Sequence, residues 1–133
     1  ERDRMYPADR RYSQQHEWAK RVDDGTLRVG ITHYAQEQLG DIVFLDLPQV
    51  GAVLGRMQKL GEVESVKSVS EVYSPISGEV VEVNQEVMGR PELANFDPHE
   101  KGWLVRMKPS EPGEMDELMT AADYESFLKS LGV

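Results

Sequence analysis

Lys67 sits between two β-branched runs, in Glu62-Val-Glu-Ser-Val-Lys-Ser-Val-Ser-Glu-Val-Tyr-Ser-Pro-Ile-Ser-Gly78. Strand, lysine and strand with almost nothing between them place the ammonium at the tip of a tight hairpin. Two-residue hairpin loops favour Asn-Gly or Asp-Gly; Val66, Lys67 and Ser68 instead suit a type I turn, which accepts most residues. The chemistry open to this position is that of an exposed primary amine, and the plainer reading is a solvated turn cation. Other chemistry is hard to find. With no cysteine there is no thiol nucleophile, thiolate zinc site or disulfide. His16, His33 and His99 are widely separated and form no His-x-x-x-His pair. Gly55-Arg-Met-Gln-Lys-Leu-Gly61 lacks the Gly-Lys-Ser/Thr ending of a phosphate loop, and neither Gly-x-Gly-x-x-Gly nor Gly-x-Ser-x-Gly occurs. Carboxylates are plentiful, but in so acidic a chain most belong to a solvated surface. No residue is assigned a catalytic role and none a metal; the pattern is not that of a self-sufficient enzyme.

The elements that must position Lys67 are short strands. Leu27, Val29 and Ile31 alternate with polar residues in Thr26–Ile31, the pattern of a half-buried strand. Asp41–Leu47, Val63–Val66, Val69–Tyr73, Glu79–Val83 and Trp103–Met107 follow, with Gly and Pro punctuating the intervals. Two helical stretches accompany them. Thr32 caps His33–Leu39, which ends at Gly40; Thr120 caps a C-terminal helix with Tyr124, Phe127, Leu128 and Leu131 at i, i+3, i+4 and i+7, and Gly132 just beyond. A helical turn is expected at Glu114–Met119. Gly40-Asp-Ile-Val and Gly78-Glu-Val-Val open alike, a weak internal repeat suggesting two related halves. The prediction is an all-β sandwich or barrel with helices packed on it: residues 1–11 a flexible segment or remnant outside the fold, 12–109 the β-sandwich, and 110–133 a helical extension of the same domain.

Composition narrows the partners. The chain has 133 residues, with 15 basic against 24 acidic side chains and a net charge of −9. That is one domain's length, and the charge repels a phosphate backbone, so nucleic acid is a poor partner. No apolar run is long enough for a membrane span and no signal-peptide pattern opens the chain. A monomeric protein of the cytoplasm, or of the mitochondrial matrix if eukaryotic, is expected.

The segment Glu64-Ser-Val-Lys-Ser-Val-Ser-Glu-Val-Tyr-Ser-Pro-Ile-Ser-Gly-Glu-Val resembles the lipoyl-lysine region of the glycine cleavage H-protein family. So do His16-Glu-Trp18, Gly30-Ile-Thr-His-Tyr-Ala-Gln36, Leu39-Gly-Asp-Ile-Val43, Leu45-Asp-Leu-Pro48, Val83-Asn84, Pro91-Glu-Leu93, Asn95, Asp97-Pro98 and Gly102-Trp103-Leu104. The likeness runs in order over roughly residues 12 to 131. His33-Tyr34 and Gln38 depart from the usual pattern without touching the hairpin.

The resemblance implies a mostly β, lipoyl/biotinyl-type barrel-sandwich hybrid and a carrier role. Lys67 would hold lipoate in amide linkage, as N6-lipoyl-lysine, with Glu64, Ser65, Val66 and Ser68 presenting the hairpin to lipoyl-attaching enzymes. The arm would receive an aminomethyl group from a pyridoxal-phosphate glycine decarboxylase. It would pass the one-carbon unit to tetrahydrofolate on an aminomethyltransferase, then be reoxidised by dihydrolipoamide dehydrogenase. Glu17, from the His-Glu-Trp motif, and Glu71, four residues past Lys67, would contact the aminomethyl-bearing arm. Competing readings remain. A 2-oxo acid dehydrogenase lipoyl domain usually has an acid just before its lysine, where Val66 stands here. A biotin carrier flanks its lysine with methionines. An H-like relay that passes lipoyl groups to other proteins is not separated by sequence.

Overall fold

The computed structural model describes residues 5–132. Period-two burial along the strands builds two antiparallel sheets. β1 (Arg11–Tyr12), β2 (Glu17–Arg21), β3 (Leu27–Ile31), β5 (Val53–Leu54), β8 (Gly78–Val83) and β9 (Val105–Pro109) form one, in the order β1-β2-β3-β9-β8-β5. β4 (Ile42–Asp46), β6 (Lys59–Ser65) and β7 (Val69–Tyr73) form the other, in the order β4-β6-β7. One apolar cluster draws on both: Leu27, Val29, Val80 and Met107 from the larger sheet, Leu45, Val63 and Val72 from the smaller, all buried. Each such side chain contributes about 1.5–3 kcal/mol by leaving water. The fold is the mostly β, two-sheet arrangement expected, open rather than a closed barrel.

The helices follow their punctuation. α1 (His33–Leu39) starts where the Thr32 hydroxyl accepts the Ala35 N–H and stops at Gly40, whose φ of 81° suits glycine. α4 (Ala121–Ser130) is capped by Thr120, which accepts from the Asp123 N–H. Two short helices, α2 (Gln85–Gly89) and α3 (Leu93–Phe96), occupy a stretch that the sequence presents as turns around Gly89 and Pro91. A 3₁₀ turn, Pro112–Glu117, stands where a helical turn at Glu114–Met119 is predicted.

Residues 1–11 are set outside the fold by the sequence reading. Residues 1–4 of that stretch lie outside the described residues; over the rest the expectation is corrected. Tyr6 and Arg10 are 7% and 3% exposed. Tyr6 meets Tyr12 and Tyr124 edge-on, Tyr12 stacks on Tyr124 at 4.9 Å, and the Arg10 guanidinium lies over the Trp18 ring. These contacts and α4 form a second, aromatic cluster around Trp18. A charged, Pro-containing stretch without apolar periodicity hides this, because isolated aromatic and guanidinium groups do the packing. The backbones of Tyr12 and Met119 exchange hydrogen bonds in both directions at 2.8 Å, joining the start of the described chain to its last segment.

The two repeat-like stretches open β4 and β8, in different sheets. Their glycines do different work: Gly40 ends a helix, whereas a Cβ on Gly78 would collide with the Lys108 carbonyl across the ladder.

Candidate functional site

β6 and β7 pair from Lys59↔Tyr73 to Glu64↔Val69, and the turn between them carries Lys67. Ser65 is the residue that shapes this turn. Its backbone N–H donates to the Ser68 carbonyl at 2.8 Å. Its hydroxyl accepts the N–H groups of Lys67 (3.3 Å) and Ser68 (3.1 Å) and donates to the Ser68 carbonyl at 3.2 Å. One donor and two acceptor positions are all a hydroxyl has, so the Ser65 side chain is saturated. It is 6% exposed, whereas Val66 and Val69 are 69% and 60% exposed and Lys67 and Ser68 are also exposed. The result is an ordered backbone under an exposed lysine side chain. Lys67 takes part in none of the ion pairs among the described residues. Glu64 lies on the outer face, in register between Phe44 of β4 and Val69 of β7, both exposed.

Outside its own hairpin the turn meets the Gly40–Ile42 corner between α1 and β4. The Val66 N–H donates to the Asp41 carbonyl at 3.0 Å. A Cβ built on Gly40 would lie 3.4 Å from Lys67 Cε, so the lysine's methylenes run alongside this glycine.

Beside that corner, α1 and β7 wall a cleft of about 320 Å³ lined by residues that include His16, Glu17, Tyr34, Gln38, Leu39 and Glu71. The structure thus brings Glu17 and Glu71, 54 positions apart in the chain, to one cleft, next to the lysine turn. Their states differ. Glu17 is 2% exposed; Ser13 Oγ donates to its Oε1 at 2.6 Å and the Tyr73 N–H to its Oε2 at 3.1 Å. Burial pushes its carboxyl up to about 7, and the two hydrogen bonds pull against that rise. Glu71 is exposed, accepts the Tyr73 hydroxyl at 2.6 Å, and lies 3.7 Å from Lys59 Nζ. A second cavity, about 360 Å³, is lined by residues that include Tyr12, Gln15, Arg56 and Glu117 and includes none of the hairpin.

The sequence points to Lys67, its turn and the two glutamates, but not to Ser13, Tyr73 or the Gly40–Ile42 corner. Tyr73 reaches Glu17 and Asn95 reaches Ile42 across more than fifty residues, whereas Ser13 reaches Glu17 across only four, at a spacing that marks no motif. Among the described residues no group of three or more His, Asp or Glu could hold a metal ion, and no helix is long and apolar enough to cross a membrane.

The family model described as glycine cleavage H-protein matches residues 10–131. The chain belongs to this family. A glycine cleavage system H protein of Anoxybacillus flavithermus is 52% identical, over 92% of this chain and 95% of its own length. One from Neisseria gonorrhoeae is 52% identical over 89% of each. The crystal structure of a glycine cleavage system H protein from Mycobacterium marinum superposes with a TM-score of 0.85 at 41% identity, over 92% of this chain and 98% of that one. The matched residues take in both sheets and α4 of this H-protein family member.

Proposed function

We propose that the chain is the lipoyl carrier of the glycine cleavage system, acylated on Lys67 by lipoyl-attaching enzymes. It shuttles between glycine decarboxylase, aminomethyltransferase and dihydrolipoamide dehydrogenase. The observation that carries this reading is Lys67 itself: an amine without an ion pair, on a turn saturated by Ser65, beside a cleft with two carboxylates. The residues fit the group. A rigid turn with an exposed amine accepts an acyl chain without unfolding anything, and the neighbouring cleft has room for part of it. Lipoate supplies a redox-active disulfide on a flexible tether, chemistry that a chain without cysteine lacks.

The chain's own residues do the remaining work. Ser65 orders the peptide on either side of Lys67. Glu64, Val66 and Ser68 offer the attaching enzyme one charged, one apolar and one polar contact around the amine. Glu17 and Glu71 set negative charge in the cleft for an ammonium-bearing cargo; at ~4 Å one such pair is worth about 1 kcal/mol in water and about 4 in a partly enclosed site. A cation arriving beside Glu17 lowers the carboxyl's pKa again and drives off its proton. The tether keeps the local concentration of the carried group high at each partner. Catalysis stays with the partners.

Intact mass and peptide mapping after expression in a lipoylation-competent host test the reading. The expected result is one acyl adduct on Lys67, absent from Lys67→Arg; a wild-type protein without any adduct overturns it. Glycine–bicarbonate exchange with the decarboxylase then separates the glycine-cleavage shuttle, which supports exchange, from a lipoyl relay, which does not. Glu17→Gln is expected to speed hydrolysis of the loaded carrier, and an unchanged rate removes Glu17 from the cargo site.

A further inference from the structure

The lysine turn leans on a peptide unit that another part of the chain holds in place. The Val66 N–H, one residue before Lys67, donates to the Asp41 carbonyl at 3.0 Å. That carbonyl belongs to the same planar unit as the Ile42 N–H, and the two point in opposite directions. On the far side, the Ile42 N–H donates to Asn95 Oδ1 at 2.8 Å. The Asn95 Nδ2 group donates to the Gly40 carbonyl and to Gln36 Oε1, each at 2.9 Å. Both amide protons are therefore used, and one side chain from α3 fixes the carbonyl before Asp41 and the N–H after it. Gly40, at φ 81° and ψ −159°, has a conformation that glycine supports with little backbone preference of its own. The corner takes its definition from Asn95. Lys67 runs its methylenes alongside Gly40, so the corner meets the lysine both through the Val66 bond and through this contact.

We propose that Asn95 is a positioning residue for Lys67. It fixes the Asp41–Ile42 peptide plane, and through that plane the turn that presents the amine, so that acylating and partner enzymes meet Lys67 in one orientation. This rests on the reading of Lys67 as the acylated lysine. The role differs from general stabilisation, and the chain supplies its own control. Asn84 makes a matching set of bonds: its Nδ2 donates to the Lys101 and Trp103 carbonyls, and its Oδ1 accepts the Glu86 N–H. It caps α2 and makes no hydrogen bond to the hairpin among the described residues.

The test uses the full chain in its unacylated form, octanoylated by a lipoate–protein ligase with octanoate and ATP and followed by intact mass, at a temperature where every variant is folded. Asn95→Ala is expected to lose about tenfold in kcat, with KM held within about twofold because the surface around the turn is unchanged. Asn95→Asp keeps the acceptor for Ile42 and loses both donors, so its kcat should fall between the two. Asn84→Ala should melt at a lower temperature and be octanoylated at the wild-type rate. A folded Asn95→Ala with wild-type kcat overturns the proposal, as does an equal loss of kcat in Asn84→Ala. Where Asn95→Ala does not fold, Asn95→Asp decides by the same criterion. An unmodified wild type overturns the carrier reading itself; a modified wild type with an indifferent Asn95 overturns the positioning role alone.

Discussion

At the scale of single residues, Glu17 and His99 are displaced in opposite directions, and His16 is lowered by burial as well. Glu17 is raised to about 7 by burial, and His99 is lowered to about 4 by burial, with Arg10 and His33 adding to the shift. His99 Nε2 accepts the His33 N–H at 3.2 Å, a bond that only the neutral ring can make. The raised carboxyl keeps a proton that the unfolded chain has already released, so folding stability falls as pH climbs from its ordinary value of 4.5 to about 7. The depressed imidazole refuses a proton that the unfolded chain takes up below 6.5, so stability falls as pH drops from 6.5 towards about 4. The slopes oppose each other where the windows overlap. Glu17→Gln removes one of them. Between about pH 4 and pH 8 the variant should gain on the wild type by up to about 3 kcal/mol in urea unfolding, since each tenfold change in proton affinity is worth about 1.4 kcal/mol. Parallel pH profiles would show that the carboxyl is not held in its buried state.

At the scale of elements, α1 matters because it walls the cleft and ends at the corner beneath Lys67. Its cap has two duties: the Thr32 hydroxyl accepts the Ala35 N–H and lies 2.8 Å from the Tyr124 hydroxyl, fully buried. Thr120 caps α4 at an exposed position through its bond to the Asp123 N–H. Loss of either cap costs about 1 kcal/mol; Thr32→Val also removes one of the two partners of the Tyr124 hydroxyl, which keeps His16 Nδ1 at 2.8 Å, adding about 1 more. Thermal unfolding should therefore show a clearly larger drop for Thr32→Val than for Thr120→Val, and equal drops would mean that the Tyr124 contact contributes nothing. Both helices are legible in the sequence because each carries a threonine at its start and a glycine past its end. The hairpin is legible because β-branched runs flank Lys67 closely. β1 and β5 are two residues long, too short for any period to register, and α2 and α3 are five and four residues long on either side of Gly89 and Pro91, which read as turns. The use of Ser13 and of Asn95, the latter visible only as one of the family-like residues, is hidden for a different reason. A serine near a strand and an asparagine near a turn are ordinary locally, and their use emerges only when Tyr73, Gly40 and Ile42 arrive from elsewhere in the chain.

For the molecule as a whole, acylation of Lys67 replaces an ammonium with a neutral amide, taking the net charge from −9 to −9 − 1 = −10. The acylated form should elute later than the unmodified form on anion exchange near pH 7, and co-elution would show that the cation is retained. The placement of the lysine in the smaller sheet has a bearing on handling as well. Tyr12 and Met119 are hydrogen-bonded to each other in the larger sheet's company, so both arms of the described chain converge there. Tension applied to the two ends loads the Tyr12–Met119 bridge and the aromatic packing of Tyr6, Tyr12 and Tyr124 before it reaches β6 or β7. A copy anchored by its ends to a bead or a surface would keep its lysine turn slack, and with it the reach of whatever that lysine carries.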